Sequence, residues 1–223
     1  MPLRHIQEAE RASVEAPASH SAARRIDDAA VLDATRRLVL THGISRTTLT
    51  DVAREAGLSR MTVYRRWNSL PELIGRMMQR EWDELLIVEP GALADEAIGA
   101  GDVRQVLVRE VVAGARKLRE SELLARIIGG EPQLLLPYLL QRQGTMHRRA
   151  IGGISEAIRA GQLDGSIAKR DPVRQATAVV LAVQSWVMSM DAAAAGQDRT
   201  LMDDELRAML HGYLRPAPAE PEA

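Results

Sequence analysis

The sequence predicts an all-α protein in two parts, a small N-terminal three-helix unit that contains a helix-turn-helix and a larger helical C-terminal domain. Three observations carry this. No segment shows the period-two alternation of a half-buried strand, whereas apolar residues recur at three- and four-residue spacing along most of the chain. Between Thr48 and Glu72 the chain reads TLTDVAREAGLSRMTVYRRWNSLPE, two short capped helices around a glycine turn. Charge is also divided: the net charge of -1 splits into about +4 over residues 1–80 and about -5 beyond. A basic end on an acidic remainder favours a polyanion at one end only.

Met1 to Arg25, rich in Ala, Ser, Pro and charges, is expected to be a flexible arm, residues 1–25, a solvated tail unless Arg24 and Arg25, just before the first helix, reach a minor groove. The first helix is expected from about Ile26 to Thr41, with Ala30, Val31, Ala34 and Leu38 on one face, closing at Gly43. Asp27 and Asp28 then stand at its positive end, and His42 at its negative end. Thr48 caps the next helix with Asp51 three residues on, and Gly57 ends it because the turn needs a backbone conformation free of a Cβ clash. Ser59 caps a short helix from Arg60 to Trp67. Ala53 is small enough to lie under a crossing helix, and Val63 provides a buried contact. Ser69 and Glu72 form a capping box for a fourth helix that runs to about Val88, ahead of Pro90 and Gly91.

The remaining helices are expected at Asp102 to Arg119, Glu122 to Ile128, and Gln133 to Ala160 with a kink at Pro137 or Gly144. Asp171 and Pro172 open another, an acidic cap with proline at the first helical position. Along it Ala176, Val179, Val180, Val183, Val187 and Met190 form a stripe. A last helix capped by Thr200, with Asp203 and Asp204 near its start, carries Met202, Leu206, Met209, Leu210 and Tyr213. The domains are thus 26–70 and 71–215, with a disordered tail at 216–223.

The outward positions of the second motif helix hold Arg60, Met61, Thr62, Tyr64, Arg65 and Arg66: cations for phosphates and guanine edges, methyl groups for thymine, a phenol for a backbone oxygen. Basic chemistry throughout the chain is almost wholly that of guanidinium, since Lys117 and Lys169 are the only lysines. These residues resemble the tetracycline-repressor (TetR) family of bacterial transcriptional regulators, through T-T-L-T-D-V-A-R-E-A-G-L-S-R-M-T-V-Y-R-R-W followed by N-S-L-P-E-L-I. The resemblance covers roughly Asp27 to Ile87. Leu70 stands where the family often has a phosphate-binding lysine, and Trp67 where phenylalanine is usual.

The resemblance implies a ligand-responsive repressor, a homodimer that binds a near-palindromic double-stranded DNA operator. Arg60 and Thr62 would contact bases and Met61 a thymine methyl. Thr48, Tyr64 and Arg66 would hold phosphates, Arg65 adds a cation to the same face, and Ser59 would touch the DNA backbone while capping its helix. A small apolar or amphipathic effector would meet Trp82, Leu107, Val111, Tyr138, Met146 and Trp186, or these residues are simply core. Val179, Val183, Val187, Leu206, Met209, Leu210 and Tyr213 would pair with a second subunit, or pack within their own domain. A helical module that docks another protein is the alternative from a different class.

Cysteine is absent, which removes disulfides and thiolate metal sites. His5, His20, His42, His147 and His211 are widely spaced, with no H-E-x-x-H pair. No catalytic residue, metal or cofactor is therefore expected, and Gly99-Ala-Gly101 and Gly129-Gly130 read as turns. No apolar run is expected to span a membrane and the N-terminus lacks the apolar centre of a signal peptide, so the expected location is cytoplasmic.

Overall fold

The computed structural model describes residues 16–85, 102–134 and 145–217, with side chains from 28–83, 102–133 and 147–217. All its regular elements are helical: α1 Ala16–His42, α2 Leu49–Glu55, α3 Arg60–Arg66, α4 Leu70–Leu85, α5 Val103–Arg119, α6 Glu122–Gly130, a 3-10 turn Pro132–Leu134, α7 Thr145–Leu163, α8 Pro172–Ala193 and α9 Arg199–Leu214. The chain divides into two compact units, Met1–Met78 and Gln79–Ala223. The division lies inside α4 because Leu73, early in that helix, is buried in the N-terminal core.

In the N-terminal unit α1 packs on α2 and α2 on α3. Val31, Ala34, Leu49, Val52, Ala53, Val63, Trp67 and Leu73 form the buried cluster, with Leu38, Leu58 and Leu70 against it. Full burial of each large apolar side chain is worth about 1.5–3 kcal/mol, so this cluster is what holds the motif's geometry. Gly43 and Gly57 take positive φ, 82° and 69°, at the ends of α1 and α2, where any other residue would be strained. Leu70 is thus an apolar supporter of this core and Trp67 one of its members.

The start of α1 corrects the expectation. The helix begins at Ala16 rather than near Ile26, so Arg24 and Arg25 lie within it, and Asp27 and Asp28 are mid-helix residues rather than partners of a helix end. The segment Ala16–Arg25 holds Ala16, Ala22, Ala23, Arg24 and Arg25, strong helix formers, with Pro17 in the first turn where a missing N–H is harmless. Residues 1–15 of the expected arm and 218–223 of the expected tail lie outside the described residues.

In the C-terminal unit α5 packs on α6, α7, α8 and α9, and α8 packs on α7 and α9. Asp171 caps α8 as expected, with Pro172 at its first position; Asp102, expected as the first residue of its helix, is the cap of α5. The α9 cap is Asp198, whose carboxylate accepts the Thr200 N–H; Thr200 is inside the helix. Residues 132–134 are a 3-10 turn and α7 starts at Thr145, so the long helix expected from Gln133 begins later than predicted; Pro137 and Gly144 lie outside the described residues. Gly129 and Gly130 are the last residues of α6, not a separate turn.

One helix among the described residues, Pro172–Ala193, has the length and mean hydropathy (1.3) of a membrane span, contrary to the expectation of none. Its apolar content has a local use: Ala176, Val179, Val187 and Met190 are buried within the unit.

Candidate nucleic-acid interface

The helix-turn-helix is built by local capping. Thr48 Oγ1 accepts the Asp51 N–H at 3.1 Å and donates to Asp51 Oδ2 at 2.6 Å. That hydroxyl is the main cause that holds the Asp51 carboxyl below its usual value; partial desolvation opposes it, and the Arg54 guanidinium adds a smaller lowering. Thr48 therefore spends its hydroxyl proton on the cap, and a phosphate would have to compete for it. Ser59 Oγ accepts the Thr62 N–H at 3.1 Å and shares a 2.8 Å hydrogen bond with the Thr62 hydroxyl. Ser69 caps α4 through the Glu72 N–H, and Glu72 reaches back to the backbone N–H and amide of Asn68.

These caps orient α3. Val63 faces inward at 1% exposed. Arg60, Met61, Tyr64 and Arg65 are exposed, and their spacing (60 with 64, 61 with 65) places them on one continuous face. Met61 is 77% and Tyr64 51% exposed, an unusual cost for large apolar groups that a base methyl or a sugar-phosphate backbone would remove. Thr62 is half-buried at the edge of this face.

Arg66 departs from its expected role. Its Nε lies 3.0 Å from Asp28 Oδ1 and the side chain is only 17% exposed. It braces the end of α3 against α1 instead of extending outward. The 2.8 Å bond from Arg37 Nε to Glu55 ties α1 to α2 in the same way. Sequence reasoning also passed over Arg46 and Arg54, both exposed beside the motif; Arg54 is 2.9 Å from Asp51. Their charge was legible, but no spacing rule singled them out.

The other expected sites lie in the C-terminal unit. Trp82 and Leu107 are buried, Val111 and Trp186 half-buried. The indole N–H groups of Trp82 and Trp186 are buried without a hydrogen-bond partner, but so is that of Trp67 in the motif core, so this feature alone does not mark a ligand. Tyr138 and the side chain of Met146 lie outside the described residues. His147 Nε2 and Gln184 Oε1 are 2.6 Å apart, joining α7 to α8.

Of the expected dimer residues, Val179, Val187, Leu206 and Leu210 are at most 6% exposed, packed within their own unit. Val183 is half-buried, while Met209 and Tyr213 are exposed. The exposed large apolar residues of α8 and α9 are Val173, Leu181, Leu201, Met209 and Tyr213.

Comparison with known proteins agrees with this geometry. Residues 31–77 match the family model for bacterial regulatory proteins, tetR family. An uncharacterised HTH-type transcriptional regulator of Mycobacterium tuberculosis is 34% identical over 184 residues, which cover 82% of this chain and 92% of the relative. The HTH-type transcriptional regulator TtgR of Pseudomonas putida is 27% identical over 172 residues, 73% of this chain and 81% of its own. Two solved structures share the fold: the TetR family repressor AlkX from Dietzia (TM-score 0.59, 20% identity, 83% of this chain and 94% of that one) and RolR in complex with resorcinol (TM-score 0.61, 13% identity, 87% and 90%). With a basic, outward recognition face on a capped helix-turn-helix and relatives that are transcriptional regulators over nearly their whole length, the chain belongs to the tetR family of DNA-binding bacterial transcriptional regulators.

Proposed function

We propose that the protein is a homodimeric, effector-responsive repressor that acts in the cytoplasm and inserts one α3 per subunit into successive major grooves of a near-palindromic operator. The observation that carries this is the exposed face of Arg60, Met61, Tyr64 and Arg65 on a helix whose buried side is fixed by Val63 and whose start is fixed by Ser59. Arg60 reads a base edge, Met61 meets a thymine methyl, Thr62 contributes at the edge of the face, and Tyr64 and Arg65 hold phosphates. Two half-sites would lie about 34–36 Å apart, one turn of duplex.

The second copy is supported by the outward apolar residues of α8 and α9, Leu181 at 58% and Met209 at 45% exposed. A single motif reads few base pairs, and a two-fold dimer doubles the site. Effector response is supported by α4, a continuous helix that begins in the N-terminal unit and ends in the other. A small apolar or amphipathic molecule against Trp82 would act on DNA binding through that helix, and a protein of this fold holds resorcinol. Linkage requires the effector to prefer the DNA-incompetent state, by about 1–3 kcal/mol for typical coupling, with DNA weakening effector binding by the same factor.

Footprinting of the full-length protein on DNA upstream of its own gene, with competitor DNA present, tests the reading. Two protected half-sites related by a dyad are expected. Absence of protection on any genomic fragment, together with capture of a protein through the α3 face, would favour a protein-docking module instead.

A further inference from the structure

The start of α5 and the later turns of α9 border a cleft of about 390 Å³, none of whose lining residues is assigned above to DNA, effector or a second subunit. Asp102, Arg104 and Arg109 line it from the α5 side, Arg207 and His211 from α9. Most of these groups already have partners. Arg109 Nε is 2.8 Å from Glu110, Arg207 pairs with Asp204, and the Asp102 carboxylate accepts the Gln105 N–H and side-chain amide, both at 3.0 Å. The first amides of α5 are taken as well, Val103 by Asp164 and Arg104 by Ser166.

Arg104 is the exception. Its Nε is buried without a hydrogen-bond partner, and among the described residues no carboxylate pairs with its guanidinium. A charged donor withdrawn from water and left unpaired is costly; Arg119 also keeps unpartnered nitrogens, but it has Asp203, whereas the half-buried Arg104 has no carboxylate and lines a cleft. The guanidinium fork matches a planar or tetrahedral oxyanion with two parallel bonds. We propose that this cleft binds an oxyanion, the carboxylate or phosphate head of a small metabolite, with Arg104 as the principal donor and His211 as the second. Arg207 and Arg109 add positive potential, while the Asp102 carboxylate, which also lines the cleft, is engaged by the Gln105 N–H and amide.

His211 reports occupancy. Burial first, and then the charge of Arg104, keep its pKa below 6.5, with Arg207 adding to this and Asp102 opposing it. An anion set between Arg104 and His211 offsets the guanidinium charge and raises that pKa. Binding then takes up a proton, and affinity rises as pH falls through the raised pKa of the occupied state and levels off below the pKa of the free one.

The test uses the full-length protein without DNA, so its outcome is independent of the operator-binding reading. Inorganic phosphate and acetate are titrated separately, with sodium chloride at matched ionic strength, while thermal unfolding and the ring resonances of His211 are followed, His147 serving as internal reference. A saturable rise in Tm with an upward shift of the His211 pKa is expected, with phosphate or acetate, whichever acts at lower concentration, identifying the head group. Arg104→Gln should weaken the effect at least tenfold, and His211→Gln should remove its pH dependence. The proposal is overturned if chloride reproduces the rise, if Arg104→Gln responds as the wild type does, or if the His211 resonances of the wild type do not move.

Discussion

The two units differ in the large side chains that their helices turn outward. In the N-terminal unit these are cations and amphipathic groups on α3: Arg60 and Arg65 have no ion pair among the described residues, and Met61 and Tyr64 project beside them. In the C-terminal unit a guanidinium, Arg119, is instead buried at 6% exposure, 2.7 Å from Asp203 at 10%, while the outward groups of α8 and α9 are Val173, Leu181, Leu201, Met209 and Tyr213. One unit presents cations suited to a polyanion, and the other exposes large apolar side chains on its last two helices. What a fold leaves unsatisfied is therefore a better guide to its partners than what it buries.

The sharpest way to break this contrast is to attack the buried ion pair. Asp203 accepts from Arg119 Nη2, while Nε and Nη1 of that arginine have no partner. Asp203→Ala leaves a desolvated cation and should cost about 3–5 kcal/mol of stability in the C-terminal unit. Replacing both residues together, Arg119→Met with Asp203→Leu, should recover most of it, because apolar groups of similar size bear no desolvation penalty. Denaturant unfolding of the three variants distinguishes a pair kept for specificity from one that stabilises outright.

Next in size is the apolar face. Met209→Glu sits at an exposed position, so the single subunit should fold normally, yet a second copy would bury an unpaired carboxylate at a cost of a few kcal/mol. Analytical ultracentrifugation should show a monomer that has lost operator binding. A dimer of unchanged affinity would mean that this face meets something else. Val179→Ala, by contrast, should destabilise the subunit itself by creating a cavity.

These two variants also show how much was legible in advance. A helical stripe reports a period, but not which neighbour covers it: Val179 and Leu181 are two residues apart, one at 1% and the other at 58% exposure. Local signals were read correctly. Thr48, Ser59 and Asp171 cap helices because the cap bond spans only three residues, and Gly57 ends α2 because its φ is positive. The Asp198 cap was misplaced to Thr200 because both side chains suit the role. Pairings across long separations, Asp28 with Arg66 or Arg119 with Asp203, leave no trace in spacing. The start of α1 was missed because Ala and Arg among Ser and Pro read as disorder in composition but as helix in propensity.

On the recognition face the expected effect is smaller and more selective. Arg60→Ala should reduce operator affinity by about 1–3 kcal/mol, with non-specific binding nearly intact, if the side chain reads a base edge. Equal losses on operator and random duplex would make Arg60 a phosphate contact.

The smallest effect belongs to Arg66, which separates bracing from contact within α3. Since its guanidinium lies on Asp28 and that carboxylate is 40% exposed, solvent screens the pair and its contribution to stability is about 0.2–1 kcal/mol. A brace removed by Arg66→Ala or Asp28→Ala should lower the melting temperature of the N-terminal unit slightly and weaken operator binding by a similar factor in both variants. The slope of log affinity against log salt should stay unchanged, because no phosphate neutralised by the wild type has lost its cation. The charge-swapped pair Asp28→Arg with Arg66→Asp should restore part of both losses. A phosphate contact behaves differently: Arg66→Ala alone would flatten the salt slope by about one, Asp28→Ala would not, and the swap would bind worse than either single variant.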